Sequence, residues 1–546
     1  MCCVALVILL TGCDTTGETD AVTPSASPSA SPPPVAGAPV GGTLRWAIAR
    51  PSAIGPTDAA DDAAILIVDM LFDSLTAVAV DGTVRPRAAV RWRSADDGRT
   101  WRFTLRRGAR YHDGTPVRPE DFAVSWGRTV ARGVTGSHLQ DVEGYRAVRA
   151  GRATRLAGVR ALDDVTLEVR LNRPAMDLPA LVAHPTLAPV PRGRGGAGRF
   201  ARNPVGNGPY RMTEPWRSGA FIRVERDRRW RNGPRDSSAA HVGEIVFRII
   251  DADGAYVAFQ QGRIDVAPVP AGALRQAQRA YGSAEHGEGP GVVDNPLPAL
   301  YFLAFAVDSP PWNDPDVRRA LSRAIDRQAL VDDQRDLALD PAYWIVPPAL
   351  ARIDRPACDS CMHLPSLATA AFRDAGVGEI TLTIDSGAGH EQVAEQIRRD
   401  LADAGVTLTV RALPFEEYLS AMESGSLGLY RFGWRAQHPT AGSMLEAIVR
   451  SGAPWEPGDG ANYGGYADAR VDALLDRARR EDSALERERL WARAEGRALR
   501  DQAVVPLFSL RQRTVVGARV RDLTITPWGT ATPERVRLVA EPDIES

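Results

Sequence analysis

The sequence predicts an α/β protein, and two observations carry that expectation. The first is a single βαβ unit between residues 380 and 411: Leu382 and Ile384 alternate with polar residues, a helical stretch runs to Ala404 and stops at Gly405, and Val406, Leu408 and Val410 alternate again. The second is a mixture of half-buried strands and amphipathic helices elsewhere. Trp101, Phe103 and Leu105, then Leu167, Val169 and Leu171, recur at every second position, the period at which side chains share one face of a strand. Residues 118 to 132 predict a helix with Pro119 near its start, Glu120 and Asp121 in the first turn, and Phe122, Trp126 and Val130 on one buried face. A second helix follows Asn313-Asp314-Pro315, burying Val317, Ala320, Leu321, Ala324 and Ile325, and a third buries Val471, Leu474, Leu475 and Ala478. Dense glycine with few apolar residues predicts breaks at 192–198 and 282–290.

With 44% hydrophobic residues in 546, the chain can bury a large core divided into about three or four domain-sized units. Its formal net charge is −2 and its positive charges, all arginine, are spread along the chain, so it carries no electrostatic footprint for nucleic acid. The apolar run from Val4 to Leu10 is too short to span a bilayer. It ends at Leu10-Thr11-Gly12-Cys13, which resembles a bacterial lipobox, so residues 1–13 read as a signal peptide and Cys13 as the lipid-modified start of the mature chain; Met1-Cys2-Cys3 departs from the pattern in lacking basic residues. Residues 14–40, rich in Thr, Ser, Ala and Pro, cannot offset ordering entropy by burial and are expected to form a disordered tether. No later segment has transmembrane character.

Catalytic and cofactor motifs are missing. Gly193 to Gly198 is glycine-rich but has neither the lysine nor the following helix of a phosphate loop. His390-Glu391 begins like a zinc-protease helix, yet Ala394 occupies the position where the second imidazole would fall. His112-Asp113-Gly114 reads as a turn between strand and helix. Cys358, Cys361 and His363 supply three metal ligands where a structural zinc site wants four, so a Cys358–Cys361 disulfide in an exported protein is the expectation, with no metal and no cofactor.

Several segments in fixed order resemble one family. They are Asp81-Gly82-Thr83 through Trp126 with turns at Asp96-Asp97-Gly98 and His112-Asp113-Gly114-Thr115-Pro116; Gly158-Val159-Arg160-Ala161-Leu162-Asp163-Asp164; Asn203-Pro204-Val205-Gly206-Asn207-Gly208-Pro209-Tyr210; Gly262-Arg263-Ile264-Asp265; Asn313 through Leu321; Gly433-Trp434; and Asn462-Tyr463-Gly464-Gly465-Tyr466. Together they cover about residues 42 to 530 and resemble bacterial extracellular solute-binding proteins of family 5, the substrate-binding lipoproteins of oligopeptide, dipeptide and nickel ABC importers. The resemblance implies a periplasmic-binding-protein-like fold of type II (cluster C), with two hinged lobes and an extra domain. Lobe I would comprise residues 41–80, 200–300 and 506–546, the extra domain 81–199, and lobe II 301–505. It also implies an exported, monomeric protein, anchored to the outer face of the cytoplasmic membrane. There it would hold a peptide or another small solute between its lobes and deliver it to ABC permease and ATPase subunits.

The resemblance further implies site residues. A cleft carboxylate is expected where the peptide's first amine sits, because an unpaired buried ammonium costs several kcal/mol. The matching position in Gly433-Trp434-Arg435-Ala436-Gln437-His438-Pro439 is Gln437, a neutral amide, so either Asp73 takes that role or the ligand lacks a free ammonium. Asp73 matches a cleft-facing acid, with helix capping as its alternative. Tyr301 and Phe302 match the crossing into lobe II and Phe508 the return crossing, as cavity-lining or strand-core aromatics. Trp434 is expected to line the ligand cavity, with core packing as the alternative, and Gly433, Arg435 and His438 lie beside it. A peptide-sensing lipoprotein keeps the same fold and is the alternative function; an extracellular hydrolase is disfavoured because no nucleophile, metal set or acid pair assembles.

Overall fold

The computed structural model describes residues 41–133, 136–193, 199–217, 219, 221–230, 242–284, 290–334, 338–355, 358–387, 389–453, 460–526, 530–531 and 535–539. Cys13, the expected signal segment 1–13, the expected tether 14–40 and most of both glycine-rich breaks lie outside them. Among the described residues no helix is long and apolar enough to cross a membrane.

An 11-stranded mixed sheet organises the molecule. In its N-terminal half, Thr43–Ile48 runs parallel to Glu244–Ile249, which pairs antiparallel with Phe221–Arg226, itself paired with Tyr210–Met212. The helix Asp62–Leu71 covers this half. Asp61 caps it by accepting the Ala64 N–H at 2.9 Å, and residues Ala63 to Leu71 are all buried, as expected of a helix apolar on every side. In the C-terminal half the βαβ unit is present: Glu379–Asp385 runs parallel to Thr407–Leu413, and the helix His390–Asp403 between them buries Val393, Ala394, Ile397 and Leu401. Gly405 ends it with a positive φ of 79°.

Two long strands join the halves. Gly291–Phe305 and Val504–Val516 pair antiparallel along most of their length. Gly291 to Pro296 lies against Arg511 to Val516, Leu300 to Ala304 lies against Val504 to Ser509, and the register shifts between Pro296 and Leu300. Pro296 and Pro298 carry no N–H to donate to the ladder, which accounts for the break at this point. Beyond it, the first strand also pairs with Leu429–Arg435.

A separate four-stranded antiparallel sheet, ordered Ala89–Ala95, Thr100–Leu105, Thr166–Arg170 and Val159–Ala161, forms the centre of a small unit over residues 75–187. Trp101, Phe103, Leu105, Leu167, Val169 and Leu171 all point into its core, as the alternation requires. The helix Pro119–Arg132 packs on it with Phe122, Trp126 and Val130 fully buried, and Trp126 Nε1 donates to the Leu187 carbonyl at 2.7 Å. The helix Pro315–Ala324 buries its expected stripe, with Ile325 just past its end; in Ala469–Arg480, Val471, Leu475 and Ala478 are buried while Leu474 is half-buried.

The glycine-rich run before Tyr210 has a packing reason. A Cβ at Gly206 would lie 1.8 Å from the Leu71 carbonyl oxygen and one at Gly208 2.7 Å from the Leu71 carbonyl carbon, so two backbones meet where no side chain fits. Asn207 closes the contact, accepting from the Asp73 N–H at 2.9 Å and donating to its carbonyl at 3.2 Å. His112 joins it: Nδ1 accepts the Gly206 N–H at 3.2 Å and Nε2 lies 3.0 Å from the Gly208 carbonyl.

Candidate functional site

The strand Leu429–Arg435 is central to the sheet and leads directly into Gln437, His438 and the helix Ala441–Ile448. Alternation divides its side chains. Tyr430, Phe432 and Trp434 enter the large core formed with the helices that follow, while Arg431 reaches Asp385 on the neighbouring strand. Asp385, Arg431, Tyr301 and His390 form one buried polar cluster. The Tyr301 hydroxyl lies 3.2 Å from His390 Nδ1, His390 Nε2 lies 3.7 Å from Asp385, and the Tyr301 ring stacks on Phe508 at 4.5 Å. Burial, followed by the charge of Arg431, pushes His390 down to about 4, so the imidazole is neutral near pH 7. Burial likewise pushes the Tyr301 phenol well above its ordinary range.

Beyond that strand, a cavity with mixed polar and apolar lining opens between the small unit and the C-terminal half. It is small, about 60 Å³, and lies between His138, Gln140, Asp141 and Asp177 on one wall and Gln437, His438, Glu446 and Arg479 on the other, with Leu178, Leu181, Ala447 and Trp491 adding apolar surface. The walls are tied by specific bonds. Asp177 Oδ2 lies 3.1 Å from His438 Nε2 and accepts from the Thr440 hydroxyl at 3.1 Å. Arg479 donates to Asp141 and Glu446, each at 2.8 Å, and the Met176 N–H donates to the Arg479 carbonyl at 3.0 Å. Nearer the large sheet, Arg435 reaches Asp62 at the start of the helix Asp62–Leu71, 2.7 Å away.

Electrostatics keep Asp177 and Asp141 ionised. Burial would raise Asp177, but the hydrogen bond and charge of His438, with Arg487 and Arg479, hold it well below the carboxylate range. Burial opposes ionisation of Asp141 too, and Arg479 and Arg173 override it. The rings of His138 and His184 lie 4.5 Å apart; burial holds His138 well below its ordinary value and pushes His184 down to about 3, so both are neutral near pH 7.

Of the nine residues expected from sequence to contact ligand, Gln437 and His438 line this cavity. Asp73 is 7% exposed; Oδ1 accepts from Arg87 Nε at 2.8 Å and Oδ2 from Trp230 Nε1 at 2.8 Å, so its carboxylate is bonded inside the fold and caps no helix N-terminus. Phe302 is fully buried edge-on against Phe432, in the strand core. Trp434, 6% exposed, sits in the same core; its Nε1 has no hydrogen-bond partner among the described residues. Tyr301 and Phe508 pack on each other within a second core cluster, Gly433 lies opposite Tyr301 in the ladder, and Arg435 is held by Asp62. Cys358 and Cys361 are joined by a disulfide, S–S 2.10 Å, and His363 lies 3.4 Å from Asp326. Among the described residues no cluster of His, Cys, Asp and Glu is arranged to hold a metal ion.

Sequence reasoning missed Asp385, Arg431, Asp177, Asp141 and Arg479. For Asp385 a signal existed: it ends the first strand of the βαβ unit just before a glycine-rich turn, the carboxyl edge where α/β sheets gather ligand sites. Arg431 meets Asp385 across 46 positions, and Asp177 and Asp141 meet His438 and Arg479 across 261 and 338.

Similarity to known proteins runs over nearly the whole chain. It is 27% identical over 482 residues to the probable deoxycholate-binding periplasmic protein of Escherichia coli (strain K12), covering 84% of this chain and 86% of that one. It is 26% identical to the periplasmic oligopeptide-binding protein of the same organism, over 80% and 81%. Among solved structures, the clavulanic acid biosynthesis oligopeptide binding protein 2 superposes with a TM-score of 0.78 at 24% identity, over 92% of this chain and 96% of that one. The unliganded open form of the murein tripeptide binding protein does so at 0.77 and 22%, over 92% and 98%. The fold is the type II periplasmic peptide-binding fold. Residues 83–455, more than half of the length, match the model of one family, and the chain belongs to the bacterial extracellular solute-binding proteins, family 5.

Proposed function

We propose that this protein is the substrate-binding lipoprotein of an ABC importer, exported and tethered through Cys13, capturing peptides or a related small solute between two lobes and presenting them to a membrane permease. Lobe I would comprise residues 41–80, 200–300 and 506–546, the extra domain 81–199 and lobe II 301–505. One observation carries the reading: a pair of crossing strands, interrupted in register at Pro296, connects two halves that are tied by the Arg435–Asp62 ion pair, and beside them a cavity separates the small unit from the C-terminal half, bridged by His438 and Asp177. Such a join lets the halves move as bodies, and a ligand touching both walls shifts the balance toward closure. The family relatives named for oligopeptides and a murein tripeptide support peptides as the first ligand class. The cavity offers polar contacts for a bound solute from both of its walls.

The test uses the protein without its tether. Native mass spectrometry identifies what co-purifies, and thermal shift and small-angle scattering follow addition of mixed tri- and tetrapeptides. Saturable stabilisation with a decrease in radius of gyration is expected. A scattering profile indifferent to every peptide, with no stabilisation, defeats the proposal.

A further inference from the structure

We infer that Asp294 is a two-position selector in the strand pair that joins the halves: Arg511 holds it in the arrangement seen here, and Arg513 takes it over when the halves turn about the join. The inference deepens the proposed function, on which it rests in treating the halves as bodies that move.

The four side chains concerned share one face of the sheet. Arg513 lies opposite Asp294 in the ladder, Arg511 opposite Pro296, and Asp340, on the strand Leu339–Pro341, opposite Ser509. Residues 509, 511 and 513 alternate onto the same face, so Asp340, Arg511, Arg513 and Asp294 line up along it. The register breaks after Pro296, so Arg511 stands at the join itself. Asp294 follows Val293, which belongs to the core of the N-terminal half, whereas Asp340 follows Leu339, which belongs to a core of the C-terminal half.

The Arg511 guanidinium spans the break. Its Nε donates to Asp294 Oδ1 at 2.8 Å and its Nη2 to the Asp294 carbonyl at 2.6 Å, while Nη1 donates to Asp340 Oδ2. A planar guanidinium presents its donors at fixed angles, so it serves acids on both sides of the break only while the halves keep this mutual orientation. A turn about the join therefore costs one of the two contacts.

A replacement for Arg511 is already in place beside Asp294. Arg513 Nε lies 3.5 Å from Asp294 Oδ1 without hydrogen-bond geometry and has no hydrogen-bond partner among the described residues. The Arg513 side chain is 12% exposed and that of Asp294 22%, so both are largely shielded from water. When Arg511 stays with Asp340 and releases Asp294, the released carboxylate passes to Arg513, and no acid is left unpaired at the join. Because an ion pair is exchanged rather than lost, the two arrangements stay close in free energy, and a modest bias from a bound solute chooses between them.

The test measures the distance between the halves in the full chain. A ketone-bearing residue replaces Val257 in the N-terminal half and Leu485 in the C-terminal half, 46% and 49% exposed, and carries a spin label, so the cysteines are untouched. Pulsed dipolar spectroscopy then reads the distance distribution without added solute, and circular dichroism checks that each variant is folded. Arg511→Lys keeps the charge but reaches one acid at a time, and it is expected to enlarge the population at a second distance about threefold to tenfold. Adding Arg513→Gln is expected to reverse that gain. An unchanged distribution in Arg511→Lys overturns the inference, and so does a gain that survives Arg513→Gln. The same labels report separately on the broader function. A wild-type distance that shifts on adding mixed tri- and tetrapeptides supports solute-driven closure; a distance that stays fixed removes peptides as the ligand, while the variants still decide the selector.

Discussion

Replacing Asp73 with alanine is expected to destabilise the protein by about 3–5 kcal/mol without changing its response to ligand. The magnitude follows from its two bonds. Trp230 Nε1 loses its acceptor and is left buried, a cost of about 1–3 kcal/mol. Arg87 keeps its pairing with Asp69 but loses a charge-assisted bond of about 1.5–3 kcal/mol. Burial raises the carboxyl of Asp73 against the pull of Arg87, so the ion is partly disfavoured in place, which moves the expected loss toward the lower end. Asparagine preserves shape but has one acceptor oxygen where two donors converge, so its cost is expected to fall between alanine and wild type. The assay is urea unfolding of the protein from residue 41 onward, followed by far-ultraviolet circular dichroism and tryptophan fluorescence, with peptide-induced stabilisation measured alongside. Stability unchanged within about 0.5 kcal/mol, combined with loss of the ligand response, would refute the structural role and return Asp73 to the binding site.

Trp434→Ala is expected to cost about 3–5 kcal/mol through the cavity it leaves in the core, and Trp434→Phe much less; thermal melts of the unliganded protein decide this. Arg435→Ala removes a half-exposed link to Asp62 and is expected to change stability by less than about 1 kcal/mol while increasing the unliganded radius of gyration in scattering. For Asp177, whose folded pKa lies below its ordinary 3.8, the stabilisation is fully present above that value and is lost as pH falls through the lower folded one. Urea midpoints taken from about pH 5 down to about pH 2 should therefore fall more steeply for wild type than for Asp177→Asn.

The C-terminal βαβ unit was legible because each of its parts is local: two alternating strands, one amphipathic helix and a glycine stop lie within 35 residues of sequence from Glu379 to Leu413. The helix Pro119–Arg132 was legible for the same reason. The candidate site was only half legible. Gln437 and His438 could be nominated because they follow a strand that the motif Gly433-Trp434 marks, while the alternation along that strand places Trp434 in the core. Nothing local distinguishes an aspartate such as Asp73, consumed by Arg87 and Trp230, from one such as Asp177 that faces a cavity.

By itself, then, the sequence determined the α/β class, the strands and helices with a clear period, and the absence of familiar catalytic motifs, since these depend on neighbours a few positions apart. Only the tertiary structure decided which acids are internal and which line the cavity, and that the wall opposite Gln437 comes from residues 138–177. Those outcomes depend on desolvation and on pairings between segments hundreds of residues apart, such as Asp141 with Arg479 and Asp62 with Arg435, and no periodicity in the chain encodes them.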